Sequence, residues 1–299
     1  MISAPDAIIS FPMFGENFAF APPMTFTIFG LTIFWYGVII AIGFFLALIY
    51  VSRRCKEFGL TSDTLTDVLI YAVPTAIIGS RLYYVAFNFS IFRDNPAEIL
   101  RIWHGGLAIY GAIIGAVIAT FIFSHIKKIP VGTFLDMGAF GFLIGQIVGR
   151  WGNFFNREAF GIETDTFFRM GLTDRLGNTI YVHPAFLYES MWNLLGFILL
   201  HIFSKKYGRK YDGQIFLIYT AWYGFGRMLI EGIRADSLFI GSTNLRASQL
   251  LAGAAFITSL AILIFNLFRP HDESKLYVNA KELKAAPAAE NDANPDEAE

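Results

Sequence analysis

Seven apolar segments of this chain are long enough to form transmembrane helices. A hydrocarbon layer about 30 Å thick is crossed by about 20 helical residues, and the shortest spans have about 17. The segments are Leu31–Val51, Thr66–Phe87, Gly106–Phe123, Gly132–Val148, Pro184–Phe203, Ile215–Ile230 and Leu250–Phe268. The fourth and sixth are the shortest. This pattern predicts an all-α polytopic membrane protein with seven transmembrane helices.

The composition supports this prediction and excludes several other classes. Apolar residues make up 55% of the 299 residues and charged residues 16%, whereas charged residues are about 25% of an average soluble domain. The single cysteine excludes a disulfide scaffold, and the net charge of −1 argues against a nucleic-acid partner. The sequence has no cluster of histidines and cysteines at metal-ligand spacing and no phosphate-binding loop, so we expect neither a metal nor a cofactor.

The lysines predict the orientation in the membrane. They lie at positions 56, 127, 128, 205, 206, 210, 275, 281 and 284, all after the first, third, fifth or seventh segment. The other connections, about 88–105, 149–183 and 231–249, contain no lysine. Because basic residues are retained on the cytoplasmic side, we expect the N-terminus outside and the C-terminus in the cytoplasm.

The segments divide the chain into three predicted regions. Residues 11–30 are apolar but interrupted by glycines and prolines, and residues 1–30 are predicted to form an extracytoplasmic or interfacial segment. Residues 31–269 form the transmembrane domain, with a small outer head at about 149–183 between the fourth and fifth helices. The alternation in Thr179–Val182 indicates a strand in that head. Residues 270–299 are polar and are predicted to form a disordered cytoplasmic tail.

Seven ionisable side chains lie in or next to the spans near their outer ends. They are Arg81, His104, Arg150, Glu189, Arg227, Glu231 and Arg234. Charged groups in membrane segments are costly and mark functional sites, and the guanidinium group binds phosphate through two parallel hydrogen bonds. The excess of arginine over glutamate therefore predicts a bound phosphate near the outer surface. The alternative is that these arginines pair with the glutamates and only link helices.

A long sequence motif follows the fourth segment. Residues 149–161, GRWGNFFNREAFG, resemble the signature of the prolipoprotein diacylglyceryl transferases. Further pieces agree in order, namely Trp35-Tyr36-Gly37, Gly79-Ser80-Arg81-Leu82, His104-Gly105-Gly106-Leu107, His183-Pro184 through Leu187-Tyr188-Glu189, and Gly226-Arg227 through Glu231 to Arg234. Phe186 departs from the pattern, since members of the family often carry glutamine there. The resemblance covers about residues 30–265.

The resemblance implies a reaction in the cytoplasmic membrane. Members of this family transfer the diacylglyceryl group of phosphatidylglycerol to the lipobox cysteine in the signal peptide of a preprolipoprotein. A thioether forms and glycerol phosphate is released, which is the first step of lipoprotein maturation. The resemblance also implies seven helices with a small outer head and an active site that faces the outer leaflet.

The resemblance implies that Tyr36, His104, Arg150, Asn153, Gly161 and Arg227 are tied to activity. The individual roles in this reaction are our hypotheses. His104 is expected to be the base for the thiol, and Arg150 and Arg227 are expected to stabilise the charge of the leaving phosphate. The expected substrate-binding residues are Tyr36, Arg81, Asn153, Asn156, Glu158, Gly161, Glu231 and Arg234. A membrane lipid or solute transporter with an arginine-lined outer cavity is the alternative function, although it predicts polar groups at the midplane or on both sides. A non-catalytic lipid-binding protein would keep its function without His104.

Overall fold

The computed structural model describes residues 7–15, 18–241, 243 and 245–281. The chain divides into two units. The first unit comprises Met1–Val51, Gly138–Arg209 and Gln214–His271, and the second comprises Ser52–Met137, Lys210–Gly213 and Asp272–Glu299.

Seven long helices and one short helix carry most of the described residues. They are α1 (Trp35–Arg54), α2 (Ser62–Phe87), the short α3 (Phe89–Phe92), α4 (Ile109–Lys127), α5 (Val131–Asn156), α6 (Ala185–Lys206), α7 (Gln214–Glu231) and α8 (Ala247–Leu267). Each long helix overlaps one predicted span. Within the described ranges, six of the seven are long and apolar enough to cross a membrane. The chain therefore has the mostly helical architecture of a polytopic membrane protein.

Helix α7 is the long helix that is not apolar enough to be counted among these six. Its 18 residues include Arg227 and Glu231, together with several hydroxyl, amide and aromatic side chains that reduce its mean hydropathy. Its length and composition therefore do not establish α7 as a membrane span, and the count of seven spans stays a prediction.

Two small antiparallel sheets lie in the first unit, so the prediction of an all-α chain is corrected to mostly helical. One sheet has the strand order β2-β1-β5-β6, formed by Ala19–Phe20, Ile8–Ser10, Met170–Thr173 and Thr179–Val182. The other is the hairpin of β3 (Thr25–Ile28) and β4 (Leu31–Phe34). The strand predicted at 179–182 is confirmed as β6. Strand β4 occupies the predicted start of the first span, and α1 begins at Trp35.

The N-terminal segment is integrated into the head of the first unit. Strand β1 pairs with β5, with Ile9 opposite Leu172. The apolar core beneath this sheet includes Ile9, Phe154 and Phe186, all buried. The buried guanidinium of Arg157 donates to the carbonyls of Ala7 and Pro22. The predicted boundary at residue 30 therefore separates parts of one folded structure.

Helices α2 and α4 pack closely within the second unit. A Cβ atom added to Gly79 or Gly111 would collide with the backbone of the other helix. Gly111 and Gly115 therefore lie on the face of α4 that packs against α2, as expected for small residues four apart in a membrane helix. This contact holds α2 and α4 beside each other.

The C-terminal tail begins with ordered structure in the second unit, which corrects the prediction of disorder for its first residues. A short 3-10 helix spans Glu273–Lys275, and Leu276 is buried. The amide of Tyr277 donates to Asp212 at 2.9 Å, and Lys281 Nζ donates to the carbonyl of Gly59. These long-range partners were not visible in the polar composition of the tail. Residues 282–299 lie outside the described residues.

Candidate functional site

Three arginines of the first unit converge on Glu189 of α6. Arg150 from α5 approaches its Oε2 atom at 2.6 Å, and Arg227 from α7 approaches its Oε1 atom at 2.7 Å. Arg234, just beyond α7, lies 3.6 Å from the same Oε1 atom. The Glu189 side chain is 4% exposed, so these ion pairs form with little access to water.

Two further carboxylates complete this group, which we call the arginine network. Glu231 lies one helical turn after Arg227, and its Oε2 atom forms an ion pair with Arg227 Nη2 at 2.5 Å. Asp236 accepts two hydrogen bonds from Arg234, at 2.9 and 2.7 Å. The network of Arg150, Arg227, Arg234, Glu189, Glu231 and Asp236 therefore carries equal numbers of positive and negative charges.

This balance bears on the predicted phosphate site. The arginines lie together, as a phosphate site needs, but each already has a carboxylate partner. Arg150 is the most exposed of the three, at 20% of its side chain, against 14% for Arg227 and 11% for Arg234. A phosphate would therefore reach Arg150 most readily and would have to share the guanidinium groups with the carboxylates.

A chain of amide groups extends from Arg150 along the end of α5. Arg150 Nη1 donates to Asn153 Oδ1 at 3.3 Å, and Asn153 Nδ2 donates to Glu158 Oε1 at 3.0 Å. Asn156 donates to the same Oε1 atom at 3.3 Å. Arg157 takes a left-handed φ of 52°, which ends the helix and turns Glu158 back towards the amides. These polar side chains thus form a connected rim beside Arg150.

Tyr36 and Gly152 bring α1 against this end of α5. A Cβ atom added to Gly152 would lie 2.7 Å from the Tyr36 ring, so the ring packs directly on the backbone. The phenol interacts electrostatically with Glu158 and Arg150. The absence of a side chain at 152 therefore allows Tyr36 to lie beside the amide rim.

Gly161 joins the head to the segment that follows α7. It forms an antiparallel bridge with Arg234, and the amide of Ile162 donates to the carbonyl of Ile233 at 2.7 Å. A Cβ atom added to Gly161 would lie 2.5 Å from the Cβ of His183. Only glycine fits here without displacing this backbone, which fixes the position of Arg234.

Arg81 lies in the second unit and has a different kind of partner. Its guanidinium group donates to four carbonyl oxygens, those of Glu98, Ile99, Gly105 and Gly106, at 2.6 to 2.9 Å. The residue is 6% exposed. Arg81 therefore holds together the loop between α3 and α4, on which His104 lies.

His104 is paired with a carboxylate on that loop. Its Nδ1 atom lies 2.8 Å from Glu98 Oε2, and Arg101 donates to the other oxygen of Glu98 at 2.6 Å. The hydrogen bond with His104 is the main cause that lowers the pKa of Glu98. The imidazole is 53% exposed. An imidazole held through Nδ1 presents Nε2 for proton transfer.

Comparison with known proteins identifies the family of this chain. A model of the family described as prolipoprotein diacylglyceryl transferase matches residues 23–265. The chain belongs to the prolipoprotein diacylglyceryl transferase family. It is similar to proteins of three bacteria that each carry the name phosphatidylglycerol–prolipoprotein diacylglyceryl transferase.

These relatives match nearly their whole length. The Enterococcus faecalis protein is 42% identical over 87% of this chain and 95% of its own length. The Listeria monocytogenes protein is 43% identical over 81% of this chain and 89% of its own. The Limosilactobacillus reuteri protein is 43% identical over 83% of this chain and 91% of its own. The matched family region includes both the arginine network and the His104 loop.

The structure adds three carboxylates that were not among the predicted site residues. Glu189 is one of the ionisable side chains near the outer ends of the predicted spans, yet its position between three arginines depends on how α5, α6 and α7 pack. Asp236 follows Arg234 by two residues, but nothing in the sequence distinguishes it from other loop carboxylates. Glu98 lies six residues before His104, and only the loop geometry brings the two side chains together.

In the described part of the chain, no group of three or more His, Cys, Asp or Glu side chains is arranged to hold a metal ion.

Proposed function

We propose that this chain transfers the diacylglyceryl group of phosphatidylglycerol to the thiol of a prolipoprotein cysteine. In this reaction the sulfur attacks the glyceryl carbon that carries the phosphate, and the carbon–oxygen bond to the phosphate breaks. The thiol proton passes to a base, and glycerol phosphate leaves with the bonding electrons. The match of residues 23–265 to the family, with relatives of this name along most of the chain, supports the proposal.

The arginine network is the proposed site of the phosphate. Negative charge grows on the phosphate as the carbon–oxygen bond breaks, and guanidinium donors that already lie in place stabilise such charge without reorganisation. Arg150 and Arg227 share Glu189 between them. In the proposed complex the phosphate competes with Glu189 for their N–H groups, and Glu231 and Arg234 keep the remaining charges paired.

The rim beside Arg150 is the proposed site of the glycerol headgroup. Asn153, Asn156, Glu158 and Tyr36 offer amide, carboxylate and phenol groups, which are suitable partners for hydroxyls. Gly161 supports the site by fixing the backbone of Arg234. Arg81 acts in this proposal through the loop, because four of its N–H groups already donate to backbone carbonyls.

His104 is the proposed base for the thiol. A free thiol has a pKa of about 8.5, so a base that accepts its proton near neutral pH increases the thiolate concentration. The pairing of Nδ1 with Glu98 supports this role, since it leaves Nε2 to accept the proton. Replacing His104 with glutamine is expected to reduce transfer at pH 7 by about 100-fold and less at pH 9, where more thiolate forms. Equal loss at both pH values contradicts the role as base.

The proposed topology has seven spans in the cytoplasmic membrane, with the N-terminus and head outside and the active site facing the outer leaflet. The distribution of lysine supports it. A Cys55→Ser background provides a test, because Cys55 is the single cysteine. In intact cells a membrane-impermeant maleimide should label Leu176→Cys in the head and leave Tyr207→Cys unlabelled. The reverse labelling contradicts the orientation.

The transfer itself is tested by mass measurement. The purified protein is incubated with phosphatidylglycerol and a lipobox peptide, and the peptide should gain one diacylglyceryl group. A matched peptide with serine in place of cysteine should gain none. Movement of phosphatidylglycerol across a vesicle membrane without any mass gain favours the transporter instead.

A further inference from the structure

Two tryptophans join α6 and α7 through a reciprocal pair of hydrogen bonds. Trp192 Nε1 donates to the carbonyl of Trp222, and Trp222 Nε1 donates to the carbonyl of Trp192, both at 3.0 Å. The two indole rings are stacked, with centroids 4.3 Å apart and planes inclined by 13°. The same contact is thus made twice, once in each direction.

Each indole lies over a glycine of the opposite helix. Gly196 follows Trp192 by four residues, and a Cβ atom there would collide with Nε1 of Trp222. Gly226 follows Trp222 by four residues, and a Cβ atom there would collide with Nε1 of Trp192. The sequence pattern Trp-x3-Gly therefore occurs on both helices, and both copies are needed for the contact. We call these four residues the tryptophan pair.

In the proposed topology α6 and α7 both lie in the membrane, and this environment makes the contact decisive for how the two helices align. Apolar side chains give little preference for one register, because lipid tails solvate them as well as another helix does. An indole N–H without a partner is costly in hydrocarbon. A shift of α7 by one residue moves it 1.5 Å along its axis and breaks both hydrogen bonds. The tryptophan pair therefore specifies one register.

That register is the one in which Arg227 meets Glu189. Glu189 precedes Trp192 by three residues, which is about one helical turn. Gly226 directly precedes Arg227. The 2.7 Å ion pair between Arg227 and Glu189 and the indole hydrogen bonds thus lie on adjacent turns of the same two helices. Neither helix can slide without loss of both.

We propose that Trp192, Gly196, Trp222 and Gly226 are positioning residues for diacylglyceryl transfer, which hold the Arg227 guanidinium at the phosphate. This inference rests on the proposed function. It assigns the four residues no contact with substrate. Their effect is expected in the rate of the chemical step, because a misplacement of about 1 Å can cost about 100-fold in rate.

The experiment compares three variants of the full-length protein in vesicles that contain phosphatidylglycerol. Trp222→Phe retains an aromatic ring but removes one N–H donor, and Gly196→Ala adds a methyl group where the Trp222 indole lies. Gly145→Ala on α5 is the matched control, because a Cβ atom there meets nothing within 4 Å. Transfer to the lipobox peptide is measured per folded molecule, as kcat and as KM for the peptide.

We expect kcat to fall at least tenfold in Trp222→Phe and Gly196→Ala, with KM within twofold of the parent, and Gly145→Ala to be unchanged. A loss that disappears after correction for the folded fraction shows a merely structural role and overturns the proposal. Full activity in both variants overturns it as well.

A second measurement detects the stacking of the two tryptophans independently of transfer activity. Stacked indoles give an exciton couplet in circular dichroism, which should be lost in Trp222→Phe and retained in Arg227→Lys. If the parent protein shows no transfer but the couplet behaves in this way, the proposed function fails while the tryptophan pair stands. If the parent shows no couplet, the proposal on the tryptophan pair fails, whatever the transfer assay gives.

Discussion

Arg227 in the first unit and Arg81 in the second both have little exposure to solvent, at 14% of the side chain and 6% of the residue, but their partners differ. Arg227 binds the carboxylates of Glu189 and Glu231. Arg81 binds four backbone carbonyls of one loop. Carboxylates cancel the charge of a guanidinium, whereas carbonyl dipoles satisfy its hydrogen bonds and leave its charge in place.

The difference shows what each arginine can do. An ion pair can be exchanged, because an incoming phosphate also carries negative charge and can accept two parallel hydrogen bonds from a guanidinium group, as a carboxylate can. Four carbonyls of one folded loop cannot be replaced by one ligand without unfolding that loop. Arg227 is therefore suited to bind a ligand, and Arg81 is suited to hold a loop.

The largest effect is expected when Glu189 is changed to glutamine. This change leaves the guanidinium groups of the arginine network with one carboxylate fewer inside the protein, and breaking a buried ion pair in this way costs about 3–5 kcal/mol. We expect a corresponding loss in the free energy of unfolding, measured by denaturant titration in detergent.

The control for this change is Asp67→Asn, which breaks the exposed pair with Lys127. Such a pair contributes at most about 1 kcal/mol. Equal destabilisation by the two substitutions contradicts the view that the network depends on buried charge.

The next effect is expected for Arg227→Lys, which keeps the charge but loses the two-pronged geometry. Removal of one charge-stabilising donor costs about 3 kcal/mol of barrier, so we expect transfer to the lipobox peptide to fall by about 100-fold. Arg269→Lys, at the cytoplasmic end of α8 in the proposed topology, should stay within twofold. Near-normal turnover in Arg227→Lys argues against phosphate binding through two parallel hydrogen bonds.

A smaller effect is expected for Arg81→Lys, because an ammonium group cannot reach all four carbonyls. Hydrogen bonds to a charged group contribute about 1.5–3 kcal/mol each, and a lysine can retain some of them. We expect a loss of about 2 kcal/mol in local stability, seen as faster amide hydrogen exchange over residues 96–106. The exposed Arg93→Lys is the control. If amide hydrogen exchange is unchanged in Arg81→Lys, Arg81 does not hold the loop, and the proposed difference between Arg81 and Arg227 is wrong.

The smallest effect concerns Asp236 at the edge of the arginine network. Burial alone would raise the pKa of Asp236, but the hydrogen bonds and charge of Arg234 more than offset it, and the pKa is lowered. Its contribution to stability is therefore present above the unfolded value of about 3.9 and is lost as the pH falls through the lower folded value. Asp236→Asn should reduce the stability at pH 7 and flatten its decline in acid, measured by thermal unfolding across pH. An unchanged acid decline contradicts this ion pair.

The positions of the long helices could be predicted because hydropathy is a property of local sequence. The helical ends were less certain, since α5 continues to Asn156, eight residues beyond the predicted end, through the polar residues of the family motif. The strands of the N-terminal segment were missed. Strands β1 and β2 have only three and two residues, which is too short for a visible alternation, and β1 pairs with a strand more than 150 residues away.

The candidate site was predictable in its residue types and only in part in its geometry. The sequence identified Arg150, Arg227 and Arg234 as polar groups of membrane segments, and the structure brings them together. It left open whether these arginines pair with the glutamates, because the pairing of Arg150 with Glu189 depends on the packing of α5 against α6. The sequence also could not show that Arg81 holds a loop while the other arginines form ion pairs, because the partners of Arg81 are backbone carbonyls, which every residue carries.

The sequence by itself determined that this chain enters a membrane, where its helices lie and which family it belongs to. Both the length of an apolar segment and a contiguous motif are properties of consecutive residues. Only the tertiary structure decided which arginine meets a carboxylate and which meets a loop, and that two tryptophans align α6 with α7. The reason is that ion pairs and hydrogen bonds act over about 3 Å, and residues far apart in sequence come within that distance only after the helices have packed.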